Sequence, residues 1–319
     1  MSSSKSPERT IPPGLILIHK PPGITSFQLL SPLKKALGIK KVGHAGTLDK
    51  FASGLMLVFA GQGTRFVQYL SNMDKRYHAT IEFGKETETL DPEGEVIATA
   101  EIPDGSRLEE VLSRFRGDLD QVPPKYSAVH VDGQRAYKRS LKGDDFDIPS
   151  RRIVIHSLEI RDWNPPRGDF DIHCSKGTYI RSLARDLGLA AGSRAYVERL
   201  QRTTVGEFHL DEALTLDEIR EKGGEWVIDQ MICGSDLIRR IPGFQLFQAD
   251  SDLARRIRLG KDLYFRELGA PLIERSGDSP PQIFAVMDEY DQLAALFQAG
   301  GDIQPQTRLT YRGVFHKLS

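Results

Sequence analysis

Short apolar blocks punctuated by turns run along most of the chain, and their spacing predicts alternating strands and helices. Gly14-Leu15-Ile16-Leu17-Ile18 is an aliphatic run stopped by His19-Lys20-Pro21-Pro22-Gly23, so a short strand ending in a forced turn is predicted. Thr25 or Ser26 is placed to cap a helix whose apolar positions include Phe27, Leu29, Leu30 and Leu33. Residues 55–60 read as a buried segment, and residues 77–83 alternate as a half-buried strand does. Residues 96–100 offer a partner strand after the Asp91-Pro92-Glu93-Gly94 turn. Residues 107–116 carry apolar side chains at helical spacing, and 153–160 and 170–174 read as strands. Residues 178–189 predict a helix entered from Ser175-Lys176-Gly177 and stopped near Gly188 or Gly192.

Two stretches break this pattern. Residues 121–150 open with Val122-Pro123-Pro124 and are rich in Gly, Lys, Arg and Asp, which predicts a long loop or small insertion. Gly234, Pro242 and Gly243 mark a boundary near 234–243. Beyond it the short segments 254–259, 283–288, 292–297 and 309–315 predict a compact β-rich module of about seventy-five residues, large enough to fold alone. The expected organisation is a frayed, disordered tail over 1–12, a main domain over 13–236 with 121–150 inserted in it, and the module over 244–319. A length of 319 residues fits two domains better than one.

Composition narrows the class. With 39% hydrophobic and 27% charged residues, and no run of eighteen apolar residues, the chain reads as globular with no membrane span. The opening MSSSKSPERT has no apolar core of a signal peptide. Cys174 and Cys233 form no C-x-x-C pair, so two reduced thiols in a cytoplasmic protein are expected, with no zinc site. A net charge of −1 does not advertise a nucleic-acid binder. A nucleic-acid binder with this balance must gather its positive charge on one face.

Three stretches carry candidate chemistry. Gly43-His44-Ala45-Gly46-Thr47-Leu48-Asp49, followed by Ala52-Ser53-Gly54-Leu55, sets a carboxylate between a flexible loop and an apolar run, where it can act as nucleophile or base. The plainer reading is a turn aspartate bonded to its own backbone. Lys75-Arg76-Tyr77 offers a ring able to stack on a base, or a core tyrosine. Lys176-Gly177-Thr178-Tyr179-Ile180-Arg181 puts an arginine in the first turn of a helix. The dipole there disfavours cations, so Arg181 pairs with a carboxylate or phosphate unless it is simply exposed. Gly61-Gln62-Gly63-Thr64 lacks the glycine and lysine of a nucleotide loop.

Taken in order, these stretches resemble the TruB family, the tRNA pseudouridine-55 synthases. The resemblance runs from residues 14–26 through 43–55, then Asp74-Lys75-Arg76-Tyr77 and residues 83–94. It continues in Val122-Pro123-Pro124-Lys125-Tyr126-Ser127-Ala128, Asp132-Gly133-Gln134-Arg135-Ala136-Tyr137, residues 176–181 and Leu200-Gln201-Arg202-Thr203. It implies an α+β fold: a catalytic domain with a mixed, mainly antiparallel sheet and flanking helices, followed by a small PUA-like RNA-binding domain. By the same resemblance Asp49 is the essential carboxylate and Arg181 pairs with it. Tyr77 stacks on the flipped uracil and helps in deprotonation, Tyr179 and Leu200 line the base pocket, and His44 fills the space the base leaves. RNA contacts are expected from Lys20, Lys50, Arg135, Lys138, Arg139, Arg151, Arg152, Lys176 and Arg202, with Lys34, Lys35, Lys40 and Lys41 adding positive charge. The implied partner is the T-arm of tRNA, with no cofactor, no metal and no obligate protein partner. Two readings stand beside it: a tRNA-binding or folding chaperone without catalysis, and a synthase acting on another RNA. This chain departs from the family at Lys50, where proline is usual, and at Met56, while Asp144-Asp145 is acidic for a loop facing RNA.

Overall fold

The computed structural model describes residues 11–127, 129–131, 134–140, 146–269, 283–299 and 303–316. The expected tail lies outside these except for Ile11 and Pro12, and Ile11 is buried in the core.

The chain runs β1 (Leu15–Lys20), α1 (Leu30–Leu37), β2 (Val42–Ala45), β3 (Ser53–Ala60), a 3-10 segment (Gly61–Phe66), α2 (Val67–Leu70), β4 (Lys75–Phe83), β5 (Lys85–Thr87) and β6 (Val96–Thr99). Then come α3 (Gly105–Leu112), β7 (Gly117–Gln121), β8 (His130–Val131), β9 (Gln134–Arg135), α4 (Ala136–Ser140), β10 (Arg151–Asn164) and β11 (Arg167–Cys174). After α5 (Ile180–Ala190) follow β12 (Ala195–Val205), β13 (Phe208–His209), α6 (Leu216–Asp229) and α7 (Gly234–Arg239). The last part holds β14 (Phe244–Gln248), α8 (Ser251–Arg258), β15 (Ile283–Met287), β16 (Leu293–Gln298) and β17 (Thr310–Val314).

The main sheet has the order β1-β3-β12-β4-β11-β10-β7, with β2 also on β3 and β13 on β12. All its pairings are antiparallel except β3–β12, which run parallel where Gly54 meets Arg202. This is the mixed, mainly antiparallel sheet expected. Gly54 is required at that crossing: its φ is +113°, and a Cβ there would lie 2.3 Å from the carbonyl oxygen of Arg202.

One face of the sheet is roofed by helices. Leu33 and Leu37 of α1, Val111 of α3, Leu183 and Leu187 of α5 and Ile219 of α6 pack on Val58, Ile81, Val197 and Ile172. Each such side chain, once fully buried, contributes roughly 1.5–3 kcal/mol of transfer free energy. β1 and β3 are apolar on their second face too, with Leu15, Leu17, Leu57 and Phe59 pointing there. That face is covered by Phe66 and by the C-terminal sheet.

The C-terminal sheet runs β14-β15-β16-β17, with β14 and β15 parallel. Its outer side packs Phe247, Phe284 and Phe297 against Ala254 and Ile257 of α8. Its inner side sends Phe244, Leu246 and Leu296 into the same cluster as Leu15, Phe59 and Phe66, with Leu237 and Ile238 of α7 between. The ring centroids of Phe66 and Phe315 are 5.9 Å apart. Thus the β-rich module expected over 244–319 shares a core with the main domain.

Three local expectations are corrected and one is narrowed. The first helix begins at Leu30; Ser26 is buried and bonded to Leu48, Thr25 Oγ1 accepts from the Gln28 N–H at 3.1 Å in the turn that leads into the helix, and Phe27 is exposed under Lys34. β6 pairs with β5 and not with β4. Of the two stops expected for α5, Gly188 lies inside the helix, where a Cβ would lie 2.7 Å from the backbone nitrogen of Ala195, and Gly192, with φ +77°, follows its end. Residues 251–258 are a helix whose cap, Asp250, accepts from the Leu253 backbone N–H, so the module is not wholly β.

Candidate active site

Asp49 sits in the segment between β2 and β3, and that segment is fastened at three points. Ser26 Oγ donates to the carbonyl of Leu48 and accepts from its N–H, both at 2.9 Å. The carbonyl of Lys50 accepts from the Gly23 N–H at 2.8 Å and from Lys20 Nζ at 3.3 Å. Arg202 Nη2 donates to the carbonyl of Gly46 at 3.2 Å. The Asp49 side chain keeps 38% of its surface open, so it is held in place by its backbone and remains accessible.

Arg181, in the first turn of α5, faces Asp49. Its Nη2 donates to Asp49 Oδ1 at 3.2 Å, and its Nε lies 2.9 Å from Oδ2, a charge contact off the N–H axis. The remaining guanidinium atoms are held too. Nη1 donates to the carbonyl of Thr89 at 2.8 Å and lies 3.3 Å from Asp91 Oδ2; Nη2 also donates to the carbonyl of Tyr126 at 3.0 Å. The side chain is 5% exposed, and burial makes such a planar charge pair worth far more than on the surface. The turn that presents Thr89 and Asp91 is strained: Leu90 has φ +62°, a left-handed conformation that costs a non-glycine residue roughly 1–2 kcal/mol. Burial pushes the Asp91 carboxyl up, and hydrogen bonds from Thr89 and the charge of Arg181 pull the other way.

Opposite this pair stands Tyr77 of β4. Burial pushes its phenol up to about 12, and Arg202 is its bonded neighbour. Arg202 is itself sealed at 1% exposure, with Nε donating to the carbonyl of Leu55 at 2.8 Å. It therefore ties together β3, β12, the Asp49 segment and Tyr77. Lys75 donates through Nζ to the carbonyls of Ser71 and Met73, and burial brings its pKa down to about 8. With Leu200, Tyr179 and Ile180 these residues line a cavity of about 300 Å³ whose wall includes Asp49. Lys75, Arg181 and Arg202 lie in the wall around Asp49, so positive charge outnumbers negative there. A second cavity, of about 460 Å³, opens beside His78, Arg161, Asp169 and Arg199. There Asp171 bonds both His78 and Arg161, and Asp169 accepts from Thr80, so the carboxylates are already engaged.

Asp49, Arg181, Tyr77, Tyr179 and Leu200 thus come together as expected. His44 lies on β2 beside this group, outside the cavity wall, with a buried Nδ1 that has no partner. Burial and the charge of Arg202 lower its pKa, which favours the neutral ring. Two expected RNA contacts are corrected. Lys20 is 0% exposed with Nζ donating to the carbonyls of Ile24 and Pro21 at 2.7 and 3.0 Å, and Arg202 is equally sealed. Both are internal fasteners that no phosphate reaches. The other candidates divide by position. Lys176 is exposed and donates to Asn72 at 3.1 Å, and Arg151 lies over the Tyr179 ring at 5.5 Å, beside the cavity. Lys50 is exposed but paired with Glu93 at 2.7 Å, and Arg152 lies 3.4 Å from Asp118. Arg139 stacks on Phe146 at 4.4 Å. Arg135 ends β9 and Lys138 lies in α4, whereas Asp144 and Asp145 fall outside the described residues. Sequence reasoning missed the roles of Ser26, Lys75 and Asp91. Asp91 stood within the residues 83–94 singled out earlier, but as a turn residue.

A profile described as "TruB family pseudouridylate synthase (N terminal domain)" matches residues 34–180, and one described as "tRNA pseudouridylate synthase B C-terminal domain" matches residues 181–233. The tRNA pseudouridine synthase B of Borreliella burgdorferi is 43% identical over 209 residues, covering 65% of this chain and 74% of that protein. The chain belongs to the TruB family. A further relative, the tRNA pseudouridine synthase B of Synechococcus sp., is 39% identical over 264 residues, 79% of this chain and 87% of that one. TruB membership makes this chain a pseudouridine synthase, and both TruB profiles end before β14. At the level of fold, a chain of an H/ACA RNP bound to a substrate RNA containing 2'-deoxyuridine superposes with a TM-score of 0.70 at 23% identity, over 99% of this chain and 92% of its own. A Cbf5-Nop10-Gar1 complex gives 0.68 over 98% and 90%. Among the described residues no helix is long and apolar enough to cross a membrane.

Proposed function

We propose that this enzyme converts uridine to pseudouridine at position 55 in the T-loop of tRNA, working in the cytoplasm with Asp49 as its essential carboxylate. The observation that carries the reading is the two-pronged hold of Arg181 on an accessible Asp49 in the wall of a small cavity. The relatives named tRNA pseudouridine synthase B support tRNA as the substrate.

The reaction breaks the bond from uracil N1 to the ribose, turns the ring and joins ribose to C5; the C5 hydrogen leaves as a proton and N1 gains one. Atoms and electrons balance within the nucleotide, so no reductant or nucleotide is called for. Arg181 aims the Asp49 carboxylate and balances its charge. The target base must leave its stack, which costs a few kcal/mol. Tyr77 and Leu200 offer it an apolar wall, and Tyr179 the rim. A phenol held near 12 stays protonated at neutral pH, so Tyr77 serves as a stacking surface and donor before it serves as a base. Lys176, Arg151 and the 121–150 insertion grip the RNA backbone. The C-terminal module adds PUA-like RNA contacts, for which the basic residues Arg255 and Arg256 of α8 are candidates.

The test is sequence-resolved mapping of pseudouridine in tRNA incubated with wild-type protein and with Asp49→Asn. Modification at position 55 that disappears in the variant is expected. Modification at another uridine overturns the site, and a variant as active as wild type overturns the role of Asp49.

A further inference from the structure

Behind the catalytic cavity, three potential metal ligands converge from separate parts of the sheet. Asp74 immediately precedes β4, His156 lies in β10 and His173 in β11. The register of β10 on β11 skips at His156, between the pairs Ile155–Cys174 and Ser157–His173, and such a bulge re-aims the side chain it carries. His156 Nε2 lies 3.1 Å from Asp74 Oδ2, and the two imidazole centroids are 4.5 Å apart. One nitrogen or oxygen from each of the three residues lies within 4.8 Å of the others, the one such group of three among the described residues. Ile172 and Cys174 point into the helical core, so His173 between them faces the other side of the sheet, away from Tyr77.

We propose that Asp74, His156 and His173 bind a divalent transition cation of the zinc type, with water completing the shell, and that the ion braces three strands without entering the reaction. Two imidazoles and one carboxylate are a donor set for zinc, cobalt, nickel or copper, and a poor one for magnesium or calcium, which take oxygen. Ligand atoms around a tetrahedral zinc stand about 3.4 Å apart, so a group whose atoms lie within 4.8 Å of one another closes by rotation of side chains on a backbone that the strand register already fixes. His156 and Asp74 keep 36% and 46% of their side-chain surface open, which leaves an entry path. Arg76, paired with His173 across β4 and β11, opposes a second positive charge, so binding is expected to be weaker than in a fully enclosed zinc site.

The proposal is independent of the identity of the RNA. Cobalt(II), then zinc(II), is titrated into chelator-stripped full-length protein, reading the visible absorption of tetrahedral cobalt and its displacement. One equivalent of cobalt and displacement by zinc are expected, with a zinc-dependent rise in melting temperature. His156→Ala and His173→Ala are each expected to weaken binding at least tenfold and to abolish that rise. Because His156 is exposed, its variant folds even if removal of His173 disturbs the sheet, and it alone decides the matter. Absence of stoichiometric binding, or wild-type affinity in the His156 variant, overturns the site. A single-turnover rate that requires zinc overturns the bracing role; a rate unchanged within twofold on chelation supports it.

Discussion

At the scale of single residues, the clearest consequence concerns the charge on Asp49. Asp49→Asn keeps the shape and removes the anion, so turnover is expected to fall by at least about a thousandfold, roughly 4 kcal/mol of barrier, while tRNA affinity stays within a few fold. Single-turnover kinetics and a filter-binding titration check the two halves separately. Arg181→Lys keeps a charge yet cannot reach Asp49, Thr89 and Tyr126 at once, because three ammonium hydrogens replace a planar fork. A rate loss of at least about a hundredfold is expected; a near-normal rate would show that charge alone suffices. The Asp49–Arg181 pair was legible before the structure, because a cation at a helix start needs an anionic partner and the resemblance to the TruB family named which one. Lys20 and Arg202 were misread for a physical reason. Sequence shows that a residue is charged but not how deep it lies, and both charges face inward to carbonyl groups. Ser26 was misread similarly: a hydroxyl before an apolar run resembles a helix cap, yet this one is bonded to Leu48, far along the chain.

At the scale of elements, the crossing of β3 and β12 places the Asp49 segment. Gly54→Ala puts a methyl 2.3 Å from one backbone atom and keeps a residue at φ +113°, so the strands must part. A loss of roughly 3 kcal/mol or more in denaturant stability is expected, together with loss of activity, since Arg202 would release Gly46. An equilibrium urea titration reads this directly, and a midpoint equal to wild type would mean the crossing is plastic. The strands of the main sheet were readable from alternation, whereas β6 was assigned to the wrong partner. Alternation reports which residues face inward and says nothing of which neighbour a strand finds; the short β5 arm was too brief to register.

At the scale of the whole molecule, the two halves are joined by apolar contact. Removing residues from 244 onward takes Phe244, Leu246 and Phe315 away from Phe66 and Phe59, leaving that cluster open to water. The truncated chain is expected to aggregate or to melt at least 10 °C lower, so its RNA affinity reports folding as much as contact. A monomeric fragment in size-exclusion chromatography with an unchanged melting temperature would refute this. Acidity provides a second global readout. Lys20 and Lys75 are brought down to about 8 by burial, whereas in the unfolded chain they titrate near 10.5. Between pH 8 and 9 the unfolded chain therefore binds more protons, and these groups make stability rise with pH, by at most about 1.4 kcal/mol per unit each. Above pH 9 the thiols of Cys174 and Cys233, held up at about 12 and 11 by burial, offset the two lysines group for group. Urea midpoints measured from pH 7.5 to 10 should therefore rise and then level off; Lys75→Met should flatten the rising limb.

The bond from Arg181 to the Tyr126 carbonyl has one further consequence. Tyr126 stands at the root of the 121–150 insertion, so the lever proposed to grip RNA and the pivot that holds Asp49 are bonded to each other. On that proposal, an RNA that fills the cavity without moving the lever leaves the pivot at rest. Discrimination between substrates should then appear as speed rather than grip: a minimal T-loop hairpin too short to press on the insertion is expected to bind within about tenfold of whole tRNA. It should nevertheless isomerise far more slowly once bound. Paired binding and single-turnover measurements on the two RNAs decide it, and equal saturating rates would show that the lever and the pivot move independently.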